Sequence, residues 1–272
     1  MKRLALVVLL ALGACGEKPE EGWLGYGEGD SAMIAAPQAG WLTELKVERG
    51  QVVKRGDLLF VLDNTSQQAG RDQAQGALAQ ARAALRQEQS NLAYARTELA
   101  RQDSLAKANA GTPTQRDLAR TTAQQSAARV AQLQAQISQM AAGVESASYG
   151  LSQRQVTAQT EGPVQDIYFR PGEYVAAATP VVSVLPPGNI YARFFVPQSQ
   201  LQGVKLGQKV QVNCDGCKPI TATITFIAAQ VEFTPPVIFS IGNREKLVFK
   251  LEARAPGGLP IHPGQPLTVK PL

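Results

Sequence analysis

Residues 66–156 carry a long helical pattern that separates two short β-rich segments of similar plan. The first segment, residues 33–65, and the second, residues 157–187, each contain a glycine turn, a strand, an xxG-x-x-V turn and an apolar strand. Gly50 and Gly172 stand at the same place in the second turn, where a positive φ favours glycine. Such self-similarity indicates one supersecondary unit used twice. The chain therefore predicts one β-domain that is interrupted by a helical arm.

Apolar residues in the arm recur at coiled-coil spacing. The seam of the first helix comprises Leu78, Leu85, Leu92 and Leu99 with Ala74, Ala81 and Ala95, and that of the second comprises Val130, Leu133, Ile137, Met140, Val144, Ala147 and Leu151. Between them, Gly111 is predicted to end the first helix, Thr112 to cap the second and Pro113 to fit its first turn. We expect an antiparallel hairpin that extends roughly 60 Å at 1.5 Å per residue. A coiled coil that only spaces or dimerises the protein is the alternative.

The amino terminus has the pattern of a bacterial lipoprotein signal. Lys2 and Arg3 precede an apolar run, residues 4–12, that is too short to cross a bilayer as a helix. The run ends in Leu-Gly-Ala-Cys, which resembles a lipobox and predicts a lipidated Cys15. An ordinary cleaved signal is the alternative. Residues 15–32 are expected to form a lipidated, flexible tether that holds the protein on a membrane surface.

The composition argues against nucleic acid as the main partner. The formal net charge is +5, and two of the 27 Lys and Arg residues lie in the predicted signal, so the rest nearly balance the 22 acidic residues. Because the chain has no run rich in Lys and Arg, it does not indicate nucleic acid as a partner. The arm is rich in Gln and Ala and has few aromatic residues, which suits an exposed helical arm better than a globular core.

The two half-motifs of a biotinyl-lipoyl-like domain, the hairpin between them and the β-rich segment after them resemble the HlyD-like periplasmic adaptor, or membrane fusion protein, family. The strands VIFS, KLVFKLEA and PLTV within residues 190–269 match its small β-barrel, and EFTPPV at 232–237 resembles adaptors of ABC-type exporters. The resemblance implies an α+β fold with a split lipoyl-like domain, a coiled-coil hairpin and a β-barrel. The expected organisation is a signal peptide over 1–14, a tether over 15–32, half-domains over 33–65 and 157–187, a hairpin over 66–156 and a barrel over 188–272. The chain stops just after the barrel, so we expect the membrane-proximal domain of larger adaptors to be absent or vestigial.

The predicted hairpin tip contains a second resemblance to this family. Arg101, Leu105 and Thr112 satisfy R-x3-L-x6-S/T, which resembles the family motif for docking on a TolC-like outer-membrane channel. Helix physics offers a simpler explanation, in which Arg101 is a solvated residue, Leu105 the last seam residue and Thr112 only a cap before Pro113.

Sites for chemistry are sparse in this sequence. A lipoyl or biotinyl carrier needs an exposed lysine on the hairpin that joins its two halves, but the coiled coil replaces that hairpin, and Lys46 and Lys54 lie inside the first half. Cys214 and Cys217 are three apart in an exported chain, so we expect a structural disulfide in place of redox chemistry or a zinc site. His262 is interpreted as a turn residue of the barrel. We expect no metal, no cofactor and no enzymatic activity.

The resemblance implies a periplasmic adaptor of a tripartite exporter, anchored by its lipid to the inner membrane of a Gram-negative bacterium. Its expected partners are an inner-membrane transporter of the ABC type, a TolC-like outer-membrane channel and further copies of the chain in a hexameric ring. An adaptor of an RND-type pump, or a coiled-coil lipoprotein tether that transports nothing, are the alternatives.

Overall fold

The computed structural model describes residues 22–233 and 247–272, which divide into two compact units. The elements in chain order are β1 (Trp23–Gly29), β2 (Ala32–Ala35), β3 (Gly40–Leu45), β4 (Val52–Val53), β5 (Leu58–Leu62), α1 (Thr65–Lys107), α2 (Pro113–Ser152), β6 (Gln155–Thr157), β7 (Gly162–Ile167), β8 (Tyr174–Val175), β9 (Pro180–Val184), β10 (Ile190–Pro197), β11 (Lys209–Asn213), β12 (Ile220–Phe233), β13 (Leu247–Arg254) and β14 (Pro266–Pro271). The predicted signal peptide, Cys15, the VIFS strand and the end of EFTPPV lie outside the described residues.

The unit formed by residues 32–184 contains two four-stranded sheets and the two helices. The sheet orders are β2-β9-β7-β4 and β6-β5-β3-β8, so each sheet combines strands from both halves of the repeated motif. The apolar strands β5 and β9 each lie second from one edge of their sheet, and both contribute fully buried side chains to one core. The repeat is therefore a two-fold pseudosymmetric domain whose halves exchange strands.

Equivalent turns in the two halves make equivalent hydrogen bonds to the opposite half. Gly50 donates its backbone N–H to the carbonyl of Val164 at 2.9 Å, and Gly172 donates to Leu42 at 2.7 Å. Both glycines have positive φ, +86° and +94°, which a side chain disfavours. The turns that the sequence predicts to need glycine at these two positions therefore require it in the structure.

The helices form the long hairpin that the heptads predict, with the antiparallel order of helix, short turn and helix. Leu78, Ala81, Leu92 and Ala95 are buried on α1, and Ala119, Ala123 and Leu133 are buried on α2. The other predicted seam residues are half-buried, as expected for a seam between only two helices. At the base, α2 ends at Ser152, and β6 begins inside the range predicted for the hairpin.

The start of α1 is tied down by a side chain that precedes its cap position. Asn64 makes no side-chain cap hydrogen bond, but the Asp63 carboxylate accepts from the Thr65 backbone N–H at 3.1 Å and from its hydroxyl at 2.7 Å. These hydrogen bonds from Thr65, with the nearby charge of Arg154, hold the pKa of Asp63 below its usual value. Arg154, just after α2, donates to the carbonyl of Ala39 at 2.9 Å. Because the Asp63 backbone N–H also donates to the carbonyl of Trp41 on β3 at 2.8 Å, both ends of the hairpin are held by hydrogen bonds to the β-domain.

The other unit is a closed antiparallel barrel with the strand order β1-β10-β13-β12-β11-β14. Its first strand corrects the predicted flexible tether over residues 15–32 for residues 23–29 only, because Trp23–Gly29 pairs with β10 on one side and with β14 on the other. Strands β13 and β14 correspond to the predicted KLVFKLEA and PLTV strands. The predicted fold class, a split β-domain with a helical hairpin and a barrel, is confirmed.

The glycines of β1 explain why its sequence resembles a linker. A Cβ added at Gly25 would lie 2.2 Å from the carbonyl oxygen of Arg193, and one at Gly27 would lie 2.6 Å from that of His262. These glycines permit close backbone approach where the barrel closes. Trp23 begins the strand in the barrel core, where its ring stacks on Phe194 with centroids 5.7 Å apart.

Candidate functional site

The turn at the end of the hairpin is built from backbone hydrogen bonds. Asn109 has a positive φ of 57° and donates its N–H to the carbonyl of Ala106, while Ala110 donates to Leu105 at 2.9 Å. This pair of bonds is a Schellman motif with asparagine in the left-handed position. The prediction that Gly111 ends the first helix is therefore wrong, because Asn109 does so two residues earlier.

Gly111 has a different role in the same turn. A Cβ at this position would lie 3.2 Å both from the backbone nitrogen of Ala106 and from the Cβ of Leu105. The absent side chain lets the returning chain lie against the last turn of α1. Thr112 then caps α2 as predicted, since its hydroxyl oxygen accepts from the Gln115 N–H at 3.3 Å, and Pro113 follows in the first turn.

Arg101 lies four residues before Leu105, so the two side chains share one face of α1. The guanidinium pairs with the carboxylate of Glu98, which also accepts from the Gln102 amide at 2.8 Å. The Gln102 hydrogen bond and the Arg101 charge hold the pKa of Glu98 below its usual value. Because the Arg101 side chain remains 66% exposed, most of its five N–H donors are available to a partner.

Leu105 is an exposed large apolar residue at the turn, with 39% of its surface accessible. Its carbonyl is held by Ala110 and its Cβ lies beside Gly111, so the side chain is presented from a fixed backbone. The structure thus brings Leu105 and Thr112 to one end of the hairpin, with Arg101 one helical turn away. An exposed apolar group beside a planar cation is a combination found at protein interfaces.

A groove beside the tip was not predicted from the sequence. It has a volume of about 230 Å³ and lies between α1 and α2, where Ala95 and Ala119 form its floor and Tyr94 and Leu118 stand at its sides. Tyr94 is 73% exposed and Leu118 is 68% exposed. Neither belongs to the seam, and an apolar residue outside the seam of a Gln-rich helix is the signal that could have identified the groove.

The other predicted site residues lie far along the chain from the tip. Cys214 and Cys217 form a disulfide across the turn between β11 and β12, with Cα atoms 5.3 Å apart, and both residues pack against the barrel core. Cys15 is outside the described residues. Among residues 22–233 and 247–272, no cluster of three or more His, Cys, Asp or Glu side chains is arranged to hold a metal ion.

Comparison with known proteins places this architecture in a family. A family model described as "RND MFP, barrel-sandwich hybrid domain" matches residues 31–185, more than half of the chain. The chain belongs to this family. The matched residues coincide closely with the unit that carries the two exchanged half-motifs and the hairpin, residues 32–184. We therefore call the two sheets of that unit the barrel-sandwich domain.

Two relatives are similar to this protein over most of its chain. The multidrug resistance protein MdtA of Proteus mirabilis is 28% identical over 236 residues, which cover 84% of this chain and 52% of that protein. The colistin resistance protein EmrA of Acinetobacter baumannii is 24% identical over 286 residues, which cover 84% of this chain and 78% of that protein. The chain thus spans about half the length of MdtA.

A solved structure confirms the fold at low sequence identity. The crystal structure of MacA from Actinobacillus actinomycetemcomitans is similar with a TM-score of 0.69 and 21% identity, over 91% of this chain and 76% of that one. A fold with a split β-domain, a hairpin and a barrel is therefore present in a solved structure. No helix within residues 22–233 and 247–272 is long and apolar enough to span a membrane.

Proposed function

We propose that this protein is a periplasmic adaptor of a tripartite export system, which joins an inner-membrane transporter to a TolC-like outer-membrane channel. The observation that carries the proposal is the hairpin tip, where Leu105 and Thr112 lie on one hydrogen-bonded turn and Arg101 lies one helical turn away. Family membership adds support, since relatives are named for drug resistance and one solved relative is named a periplasmic adaptor protein. In this role the protein is a conduit component and not an enzyme.

The hairpin is a long arm built from two uninterrupted helices. Its helices run for 43 and 40 residues, which corresponds to roughly 60 Å of length at 1.5 Å per residue. The buried alanines of the seam bring the helices close together, and the exposed surfaces are mostly polar. Such an arm holds its tip at a fixed distance from the barrel-sandwich domain.

The tip offers two complementary kinds of contact to a channel. The Arg101 guanidinium can donate in a planar fork to carboxylates or backbone carbonyls at the periplasmic entrance. Leu105 can insert into an apolar site one turn further on, and Thr112 can add a hydroxyl. We propose that six copies form a ring, so that six tips meet the channel together and each contact can be individually weak.

Attachment to the inner membrane is proposed to come from the lipid on Cys15. Several acyl chains on one residue are sufficient for stable anchoring. Since the sequence contains no phosphate-binding loop, energy for transport must come from the partner.

The proposed transporter is of the ABC type, because the EFTPPV stretch at 232–237 resembles adaptors of ABC-type exporters. An RND-type pump is the second candidate, and the name of the matching family model favours it. Affinity purification of the membrane-anchored protein after mild crosslinking, followed by identification of the transporter, distinguishes the two.

The adaptor function is tested by photocrosslinking from the tip in living cells. A photoreactive residue at position 105 is expected to crosslink to an outer-membrane channel, while the same residue at position 129, which is exposed at the middle of α2, is not. Deletion of the gene should also abolish export of at least one toxic compound or dye. A lipoprotein tether that transports nothing would give no channel crosslink and unchanged efflux.

A further inference from the structure

Two aromatic side chains stand exposed side by side on the barrel-sandwich domain. Trp41 on β3 and Tyr174 on β8 are paired across the strands, and their rings meet edge to face with centroids 5.4 Å apart. Each is 55% exposed. We refer to Trp41 and Tyr174 as the aromatic pair.

The aromatic pair is held rigidly but has unused polar groups. The backbone beneath it is fixed on both strands, because Leu42 donates to the carbonyl of Glu173 at 2.8 Å and Gly172 donates to that of Leu42. Among the described residues, neither the Trp41 indole N–H nor the Tyr174 hydroxyl has a hydrogen-bond partner. Tryptophan and tyrosine that are rigid, exposed and incompletely bonded are the residues most often found at the centre of protein interfaces.

The aromatic pair is present at only one of the two pseudosymmetry-related positions of the barrel-sandwich domain. The equivalent positions in the other half are Pro163 on β7 and Val52 on β4, which are also paired across strands. Val52 is 70% exposed and Pro163 is half-buried, so the equivalent surface is also accessible but lacks both rings. The pseudosymmetric fold therefore does not require aromatic residues at these positions.

A cleft of about 590 Å³ lies on the same domain, between strands β2 and β6 and the end of α2. Its walls include the apolar Met33 and Pro37 and the amide side chains of Gln153, Gln155 and Gln159, and none of its lining residues is charged. Both β2 and β6 are edge strands, so each has one side without a neighbouring strand. The cleft thus combines apolar walls with uncharged hydrogen-bond acceptors.

The aromatic pair and the cleft lie at opposite ends of one sheet. In the order β6-β5-β3-β8, the cleft adjoins β6 and the aromatic pair is on β3 and β8. We infer that the aromatic pair of one protomer inserts into the cleft of a neighbouring protomer. Such a contact joins two different surfaces of the same chain, so it is heterologous and builds a ring where its rotation closes.

Chemical complementarity favours a second copy of this chain as the occupant. The aromatic pair brings one N–H donor and one O–H donor, the cleft offers amide acceptors, and no charged residue that lines the cleft has to be desolvated. Two aromatic side chains that are each 55% exposed can bury roughly 160–280 Å² more, which is far less than the roughly 800 Å² per partner of a standard interface. The contact is therefore an anchor, and lateral contacts between neighbouring hairpins supply the remainder. The inference rests on the proposed function to this extent, since it specifies how the proposed ring is held together.

Cysteine crosslinking of the full-length, membrane-anchored protein tests the contact. One cysteine replaces Tyr174, so that Trp41 remains as the aromatic anchor, and another replaces Gln155, which is exposed at the cleft. With a short bis-maleimide, Tyr174→Cys/Gln155→Cys should give a ladder of multimers. Each single variant should give no ladder, and co-expression of the two single variants should give dimers only. The unsubstituted protein controls for its native cysteines.

The matched control uses pseudosymmetry, because Val52→Cys/Gln155→Cys moves the first thiol to the equivalent exposed position without the aromatic contact. This control should give no ladder. Adding Trp41→Ala to the crosslinking variant should reduce the ladder about tenfold, as expected on removal of an aromatic anchor.

Three outcomes would overturn the inference: dimers from a single variant, an equal ladder from the Val52 control, or crosslinking of position 155 to a different protein. Amine crosslinking of the unsubstituted protein separates this inference from the wider proposal. Oligomers without the cysteine ladder would refute only the contact, whereas monomers throughout would refute the ring as well.

Discussion

Gly56 and Ala178 occupy equivalent turns in the two halves of the barrel-sandwich domain, and both have positive φ, +93° and +62°. Each donates its backbone N–H to the opposite half at 2.8 Å, Gly56 to Ala158 and Ala178 to Ala36. One half thus uses glycine in this turn, whereas the other accepts a strained alanine. The two positions form a natural pair for measuring the cost of that strain.

We expect Ala178→Gly to stabilise the protein and Gly56→Ala to destabilise it. A Cβ in the left-handed region costs about 1–2 kcal/mol, while glycine costs about 0.4–1 kcal/mol through the entropy of the unfolded chain. The net gain for Ala178→Gly is therefore roughly 0–1.6 kcal/mol, and the loss for Gly56→Ala is similar. A Cβ at Gly56 would have no neighbour within 4 Å, so new packing contacts do not contribute to the stability difference. Urea denaturation measures both, and equal signs for the two changes would contradict the argument.

Substitution of the tip should abolish export without unfolding the protein. Arg101→Asp replaces the donor fork with a carboxylate beside Glu98, and Leu105→Asp removes the apolar group from the turn. We expect both to eliminate efflux and the crosslink to the channel, while protein level, lipid labelling and copurification with the transporter stay unchanged. Arg129→Asp, on an exposed part of α2, is the control and should export normally. Normal efflux by both tip variants would mean that the tip is only a turn.

Thr112→Ala should have a smaller effect on export than either aspartate variant. Its hydroxyl caps α2, and loss of such a cap costs about 1 kcal/mol. Thr112→Ser keeps the hydroxyl and should restore both helix stability and transport. Complete loss of export in Thr112→Ala, with the helix content unchanged by circular dichroism, would assign the hydroxyl a direct role in docking.

Lipidation of Cys15 predicts that Cys15→Ser loses its membrane anchor. The substituted protein should accumulate as an unprocessed or soluble periplasmic species, because the acyl chains can no longer be attached. Metabolic labelling with a radioactive or alkyne-tagged fatty acid checks this directly. Label retained by Cys15→Ser would contradict the lipobox interpretation and leave an ordinary cleaved signal.

The turn that carries Cys214 and Cys217 predicts an oxidised pair in the exported protein. Mass tagging of freshly isolated protein should modify neither cysteine until a reductant is added. Since the disulfide closes a loop of only four residues, Cys214→Ser/Cys217→Ser should cost about 2 kcal/mol on the chain-entropy scale. Modification of both thiols without reductant would disprove the oxidised pair.

Local patterns in the sequence predict the hairpin well, because a heptad seam specifies both the helices and the face that each one buries. Leu78, Leu92 and Leu133 are buried as the spacing requires. The cap at Thr112 and the positive φ of Gly50 and Gly172 follow from chemistry within a few residues. These features are predictable because their causes lie close together in the chain.

The features that the sequence does not predict depend on contacts between residues that are far apart in the chain. The Gly-rich sequence of β1 is typical of a flexible tether, and only its pairing with β10 and β14 identifies it as a strand. Asn109 and not Gly111 terminates the helix, since asparagine also tolerates the left-handed region and Gly111 is needed for close packing. The aromatic pair and the groove beside Tyr94 arise only when separate strands or helices meet, so no local spacing identifies them.

Strand exchange in the barrel-sandwich domain has a consequence for how the chain reaches its native state. Neither half can complete a sheet alone, so the first half cannot fold during synthesis until the second half has emerged from the ribosome. Joining the ends of a flexible loop of about ninety residues would cost roughly 4 kcal/mol of entropy. The hairpin avoids most of that cost, because its helices pair through local contacts and bring β5 next to β6. The arm proposed to reach the channel therefore also acts as an internal folding template, and substitutions that break its helices should slow refolding of the sheets at its base.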